Sequence, residues 1–350
     1  MRKGLMSNHF VQPLYDAALD IVGDIHGEID ALKSLMKVLG YDENGQHLAQ
    51  RKLIFVGDLC DRGLDSVAVI QLVKRLIENG NAQCVLGNHE LNLLIESKRE
   101  GNGWFFGSPH EDDEKPFNSN AISAAEKDWI IQFLNTLPLA LESEKLRIVH
   151  ACWDQASIDA LQQCHSSSIK AVYDQFVQRA EQQIQSSGVA HHAQQEELCY
   201  QAELKNPHAQ VPLLENLAQK DISEQMHNPI KVLTSGAEEI VEHPFFAGGK
   251  WRMVGRLPWW QSYQAEIPVV MGHYWRNFNS TEQKSGLFKH IDAVQWFGLK
   301  GNVFCVDYSV GKRYLDRHHQ RDFSHQLIAL RFPERVLMLE DGRQLQTEPN

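Results

Sequence analysis

The sequence predicts an α/β fold with parallel strands. Three observations carry that prediction. Over residues 18–97 a short apolar run, a polar cluster and a helical stretch follow one another three times. The helical stretches place apolar residues at i, i+3 and i+4, which gives one buried face. Each polar cluster falls where an apolar run ends, and in open parallel sheets the carboxyl ends of strands are where ligands collect.

ALDIVGDIHG (18–27) leads into the helical EIDALKSLMKVLG, and KLIFVGDLCDRG (52–63) leads into DSVAVIQLVKRLIENG. Both helical stretches end in glycine, a C-terminal cap signal. AQCVLGNHE (82–90) and LNLLIES complete the third unit. Strand and helix alternating at this spacing read as βαβ units. Residues 101–120 are glycine-rich and then acidic, and are expected to form a mobile loop. AISAAEKDWIIQFLNTL reads as a helix. LPLALES and KLRIVHAC read as two strands joined by a polar turn, the second ending at His150. Residues 155–245 are rich in Gln, Ala and His, and are expected to form a helical insertion within a single domain spanning 1–350. In that insertion Ile169, Val172, Phe176, Ala180 and Ile184 mark one helical stripe. Strand-like sequence returns with IPVVMGHYW, NVFCVDYSV and HQLIALRFPERVLML.

The bulk properties narrow the function. The 350 residues carry a net charge of −11, which disfavours bulk nucleic-acid or anionic-membrane binding. Six cysteines without a CxxC pair give no zinc ribbon and read as reduced thiols, so a cytoplasmic location is expected. No apolar run approaches a membrane span, and MRKGLMSNHFVQPLYD lacks a secretory core. Neither a P-loop nor a G-x-S-x-G elbow occurs, and no cysteine has an arginine six places later. GNGWFFG has Phe106 where a dinucleotide loop needs glycine.

The strand-end residues are Asp24, His26, Asp58, Asn88, His150 and His273. Taken singly, each is a plausible turn residue. Together, carboxylate, imidazole and amide oxygens suit divalent Mn, Fe or Zn. One shared carboxylate is enough to keep two cations close. In an extended segment residues i and i+2 face one side, so Asp24 and His26 can grip one ion.

GDIHG at 23–27, GDLCDRG at 57–63 and GNHE at 87–90 resemble the three signature motifs of the phosphoprotein phosphatase (PPP-type), calcineurin-like metallophosphoesterase family. That family includes bacterial Ser/Thr/Tyr protein phosphatases and diadenosine tetraphosphatases, and the closest look is to bacterial members. The spacings, 34 residues from Asp24 to Asp58 and 30 from Asp58 to Asn88, agree. VHA around His150, Gly272-His273 and VFCVDYS match more loosely. The resemblance implies an α+β four-layer metallophosphatase fold with two mixed β-sheets flanked by helices. It implies that Asp24, His26 and Asp58 hold one metal, and Asp58, Asn88, His150 and His273 a second. Arg62, helped by the Asn88 amide, would bind phosphate. His89 would be the general acid, backed by Asp61. A metal-bridging hydroxide would then attack phosphorus directly.

The residues suit that chemistry. Arg62 can grip phosphate oxygens bidentately, and His89 can protonate a leaving alkoxide. Glu90 falls at a helix start, where its charge favours the dipole, and reads as structural. Cys60 reads as a space-filler. The sequence departs from the eukaryotic phosphatases at VHACW, which lacks their Gly-Gly, and in the 123-residue gap from His150 to His273. A second phosphate-binding arginine has three candidates, Arg252, Arg256 and Arg276. Trp251, Trp259, Trp260, Tyr274 and Trp275 lie near His273 in sequence, and Trp259 and Trp260 are the expected pocket wall. The expected activity is hydrolysis of phosphomonoesters, on phosphoproteins or small molecules. The alternatives are cleavage of dinucleoside polyphosphates and a catalytically dead phosphate-binding protein.

Overall fold

The computed structural model describes residues 9–108, 117, 122–166, 168–277 and 286–349. The first eight residues and most of the acidic stretch at 109–121 lie outside them.

The first strand, β1 (Val11–Pro13), comes from the N-terminal stretch. The three repeated units follow as β2 (Leu19–Val22), α1 (Ile29–Leu39), β3 (Lys52–Phe55), α2 (Ser66–Glu78), β4 (Ala82–Cys84) and α3 (Asn88–Leu94). Helix α1 buries Ala31, Leu32, Leu35, Met36 and Leu39, and stops at Gly40. Gly40 takes φ 92°, and its amide closes onto the Lys37 and Met36 carbonyls. Helix α2 starts where the Asp65 side chain accepts the Ala68 N–H.

Next come α4 (Gly103–Phe106), α5 (Ala124–Leu134), and the antiparallel pair β5 (Ala140–Glu142) and β6 (Arg147–Val149). The insertion supplies α6 (Gln155–Gln162), α7 (Ile169–Ser186), α8 (Val189–Cys199), α9 (Glu215–Met226) and α10 (Pro229–Ser235). It then forms a hairpin of β7 (Glu238–Ala247) and β8 (Lys250–Arg256). The chain closes with β9 (Val269–Met271), β10 (Val303–Cys305), α11 (Arg313–His318), β11 (Ile328–Phe332), β12 (Val336–Leu339) and β13 (Gln344–Gln346).

One sheet runs β13-β12-β11-β2-β3-β4 and the other β1-β5-β6-β9-β10, and both mix parallel with antiparallel neighbours. Alternation along the strands builds the layers. Ile21, Ile54, Ile148, Val270, Phe304 and Leu330 meet between the sheets. Val22, Leu53, Phe55, Val149 and Met271 face the helices in the larger core. The result is helix, sheet, sheet, helix, as the resemblance implied.

The sequence reading needs three corrections. Residues 103–106 are a helix with Trp104 and Phe105 buried, not a mobile loop. The helices of the insertion end at Ser235, and β7 crosses its expected boundary at 245. This hairpin has partly exposed residues on both faces and an irregular register between Ile240 and Phe245, where Pro244 sits. A clean period of two is therefore missing. Finally, Trp259 and Trp260 are 4% and 1% exposed, so they pack the core and wall no pocket.

The expected stripe on α7 is its buried face. Ile169, Val172 and Phe176 join the main core, whereas Val211, Leu214, Leu217, Ala218 and Met253 form a separate small one. Among the described residues no helix is long and apolar enough to cross a membrane.

Candidate functional site

All six strand-end residues converge where the carboxyl ends of β2, β3, β4, β6 and β9 meet. The backbone there is unusual. Twelve described non-glycine residues have positive φ, and six of them, His26, Asp58, Asp61, Arg62, His273 and Trp275, belong to this corner. Such strain persists where the surroundings over-determine it, and it clusters at functional sites. Close approach is also built in. A Cβ on Gly272 would stand 2.1 Å from Asp24 Oδ1, and one on Gly87 would stand 2.3 Å from the Asp58 amide nitrogen.

Asp58 is the hub. Its carboxylate lies 3.7 Å from His26 Nε2, 3.3 Å from His150 Nε2 and 3.8 Å from His89 Nε2. Among the described residues two clusters of possible metal ligands share it, His26–Asp58–His89 and Asp58–His150–His273, each with donor atoms within 4.8 Å of one another. Asn88 joins the second through Oδ1, 3.1 Å from His150 Nε2 and 2.9 Å from His273 Nδ1. Asp24 stands alongside, its carboxylate accepting the His273 N–H at 3.1 Å.

The donor set fits cations. His26 and His150 point Nδ1 at the carbonyls of Cys60 and Val56, at 3.1 and 2.7 Å, which fixes the proton there. Their Nε2 atoms then face inward, although on His150 burial is outweighed by the Asp58 carboxylate 3.3 Å away, which holds that imidazole's pKa up. Burial holds the His26 imidazole well below its usual pKa, helped by Arg62, and burial with the Arg256 charge does the same to His273. Neutral imidazole is the ligating form. Burial, with Asp307 and Asp58 nearby, pushes the Asp24 carboxyl well up. Burial opposes ionisation of Asp58 as well, yet His150 and His89 hold that carboxyl well below its ordinary range. Buried carboxylates and lone pairs crowded this closely are stabilised by positive charge among them.

The second expected group is also in place. Arg62 donates to His26 Nε2 at 2.9 Å and to His89 Nε2 at 3.2 Å. His89 Nδ1 lies 2.6 Å from Asp61 Oδ2. The three candidate arginines separate. Arg276 is fully buried, its guanidinium over Phe288, Phe297, Phe304 and Tyr308, and is structural. Arg252 donates to the Ala247 carbonyl within the hairpin. Arg256 lies over the Tyr274 ring at 5.5 Å, next to His273.

Three further residues shape the site. Trp104 donates from Nε1 to Asp61 Oδ1 at 2.6 Å, and nothing in GNGWFFG signalled it. Asp307 is buried beside Asp24 at the end of β10, where the same apolar-run-then-acid pattern was available to find it. Glu90 does far more than favour a helix dipole. Its two oxygens accept the amides of Asp58, Leu59, Cys60 and Gly87, and so lock the loop that carries Asp58 to Arg62. Cys60 is buried and donates to the same carboxylate.

Residues 18–162 match the family model for calcineurin-like phosphoesterases. The asymmetrical bis(5'-nucleosyl)-tetraphosphatase PrpE of Oceanobacillus iheyensis is 46% identical over 74 residues, 20% of this chain and 30% of that one. The symmetrical bis(5'-nucleosyl)-tetraphosphatase of a Marinomonas species is 32% identical over 140 residues, 38% of this chain and 45% of that one. The matches span less than half the length of these curated relatives. A protein serine/threonine phosphatase from Saccharomyces cerevisiae is 12% identical with a TM-score of 0.48, covering 98% of this chain and 85% of that one. A cold-active protein-tyrosine phosphatase of a Shewanella species is 15% identical with a TM-score of 0.45, covering 96% and 83%. Likenesses at that level assign no activity. The family match lies over the strands that carry Asp24, His26, Asp58, Asn88 and His150, and on that ground this chain carries a calcineurin-like metallophosphoesterase domain.

Proposed function

We propose that the chain hydrolyses phosphate esters at a two-cation centre. The observation that carries this reading is the buried Asp58 carboxylate lying between His26 on one side and the His150–His273–Asn88 group on the other, with Arg62 and the His89–Asp61 pair facing them. Asp24, His26 and Asp58 would hold one divalent cation, and Asp58, Asn88, His150 and His273 the other, with Mn, Fe and Zn all suited to these donors. Such cations supply Lewis-acid charge to the phosphoryl oxygens and lower the pKa of an attacking water.

The chain's own groups do the rest. Arg62 binds phosphoryl oxygens bidentately, the Asn88 amide assists, and Arg256 is the second arginine within reach. Water attacks phosphorus opposite the leaving oxygen, and the P–O bond breaks. The leaving oxygen takes a proton from His89 Nε2, while Asp61 holds the proton on Nδ1. One ring nitrogen cannot accept from Arg62 and carry the acid's proton together. Substrate must therefore draw the guanidinium off His89 as it binds.

Phosphomonoesters, on proteins or small molecules, suit an acid aimed at an alkoxide. A second reading, cleavage of dinucleoside polyphosphates, is favoured by the names of the two relatives matched over the ligand-bearing strands. The test is turnover of p-nitrophenyl phosphate with Mn²⁺, with and without chelator, followed by phosphopeptides, mononucleotides and diadenosine tetraphosphate. Metal-dependent turnover abolished by chelator is expected. Turnover indifferent to chelator, or none with Mn, Fe or Zn, overturns the proposal.

A further inference from the structure

Trp275 carries two cations on one exposed ring. The Arg62 guanidinium carbon is 4.8 Å from the indole centroid and Lys312 Nζ is 5.3 Å from it, so the two cations stand no farther apart than these lengths added together. The indole is 45% exposed. Its backbone is left-handed, with φ 41°.

This placement is held from several sides. Asp307 Oδ2 accepts the Trp275 N–H at 2.9 Å, and the Asp307 carbonyl accepts the Arg276 N–H at 2.9 Å. Ser309 Oγ donates to the Arg276 carbonyl at 3.0 Å, and the Lys312 N–H donates to the Ser309 carbonyl at 2.9 Å. The buried Arg276 anchors the next residue in its ring of aromatics. The segments bearing Trp275 and Lys312 are therefore one hydrogen-bonded unit centred on Asp307. A bulky residue stays in such a conformation only where its surroundings impose it, and that coincides with function more often than chance allows.

The charges say what the function is. Arg313 and Arg317, on the helix that starts beside Lys312, are tied to Glu340 and Glu28. Lys312 has no ion pair among the described residues. Two like charges on one ring are eased in part by its quadrupole, and further by an anion long enough to meet both. Arg62 is already the ligand of the phosphoryl group under attack.

We propose that Arg62, Trp275 and Lys312 form a subsite for a second phosphoryl group joined to the first, so that the preferred substrate is a di- or polyphosphate. This rests on the phosphoester-hydrolase reading above and selects among its substrates. Water's oxygen bonds to the attacked phosphorus, and the bridging P–O bond breaks. The electron pair leaves on the outer phosphate, whose charge Lys312 stabilises, and the water's protons are shared between the two products and solvent. A phosphomonoester places no such charge at Lys312.

The experiment compares wild type, Lys312→Ala, Lys312→Arg and Trp275→Ala, all Mn²⁺-loaded and checked for folding by circular dichroism. The ratio of kcat/KM on diadenosine tetraphosphate to that on p-nitrophenyl phosphate is measured. Lys312→Ala and Trp275→Ala should lower the ratio about tenfold, mainly through KM, in line with one lost charge-assisted contact. Lys312→Arg should restore it. An unchanged ratio overturns the subsite. A second readout is tryptophan fluorescence during titration with inorganic pyrophosphate and with orthophosphate. Wild type should bind pyrophosphate more tightly, and Lys312→Ala should lose the difference. Equal binding in wild type overturns the proposal. Failure of wild type to turn over either substrate would instead sink the hydrolase reading, with the titration still deciding the subsite.

Discussion

His89 Nδ1 stands 2.6 Å from Asp61 Oδ2 with both side chains buried, and the other Asp61 oxygen takes the Trp104 indole N–H at 2.6 Å. The imidazole is thus held in one orientation with its free nitrogen toward Arg62. Changing His89→Ala should lower kcat on an alkyl phosphate ~10²–10⁴-fold and leave bound metal unchanged. The loss should be smaller on an aryl phosphate, whose leaving oxygen needs less protonation. Steady-state kinetics on the pair decide it, and equal losses argue against an acid.

Trp104 acts on His89 only through Asp61. Trp104→Phe keeps the ring in the core and deletes the donor. A fall in kcat of ~10-fold with KM nearly unchanged is expected, the scale of a lost supporting contact. Wild-type kcat in this variant would show that Asp61 needs no such partner.

Glu90 accepts four backbone amides of the site loops, including those of Asp58 and Gly87. In Glu90→Gln one oxygen becomes an amide that donates, and two buried N–H groups lose their acceptor. Urea unfolding should show a loss of about 2–4 kcal/mol. Metal content should drop with it, because the loop carries Asp58. A variant of native stability would mean that these amides find other acceptors.

A second buried network lies away from the site. Asp20 is fully buried in β2 and takes Arg51 Nε at 3.0 Å, Arg331 Nε at 2.8 Å and the Tyr41 hydroxyl at 2.9 Å. Removing one partner strands the others' charge. Asp20→Asn should cost about 3–5 kcal/mol in urea unfolding, and metal content in the folded protein should stay normal. A loss below ~1 kcal/mol would show that water reaches the arginines.

What could be read from the sequence was what local chemistry dictates. Strand ends with Asp24, His26, Asp58, Asn88 and His150 declare themselves because apolar runs stop abruptly in ligand residues. The stripe on α7 shows because a helix buried on one face repeats every three to four residues. The hairpin at 238–256 was illegible, since a two-stranded ribbon with both faces partly wet imposes no alternation. The choice of exposed aromatic was illegible too. No residue beside Trp260 or Trp275 in sequence marks its burial, yet one is sealed among Tyr274, Phe288 and Phe297 and the other is turned out by the Asp307 contacts. The partnership of Trp104 with Asp61 spans 43 residues, and long-range pairs of that kind leave no trace in spacing.

If Asp58 is shared by two cations, its replacement must lower metal stoichiometry. Wild type and Asp58→Asn would be loaded with Mn²⁺, freed of excess by gel filtration, and measured by elemental analysis beside a circular-dichroism check of folding. Two ions per chain are expected in wild type and fewer than one in a folded Asp58→Asn variant. Two ions retained by the variant, or none held by the wild type, would contradict it.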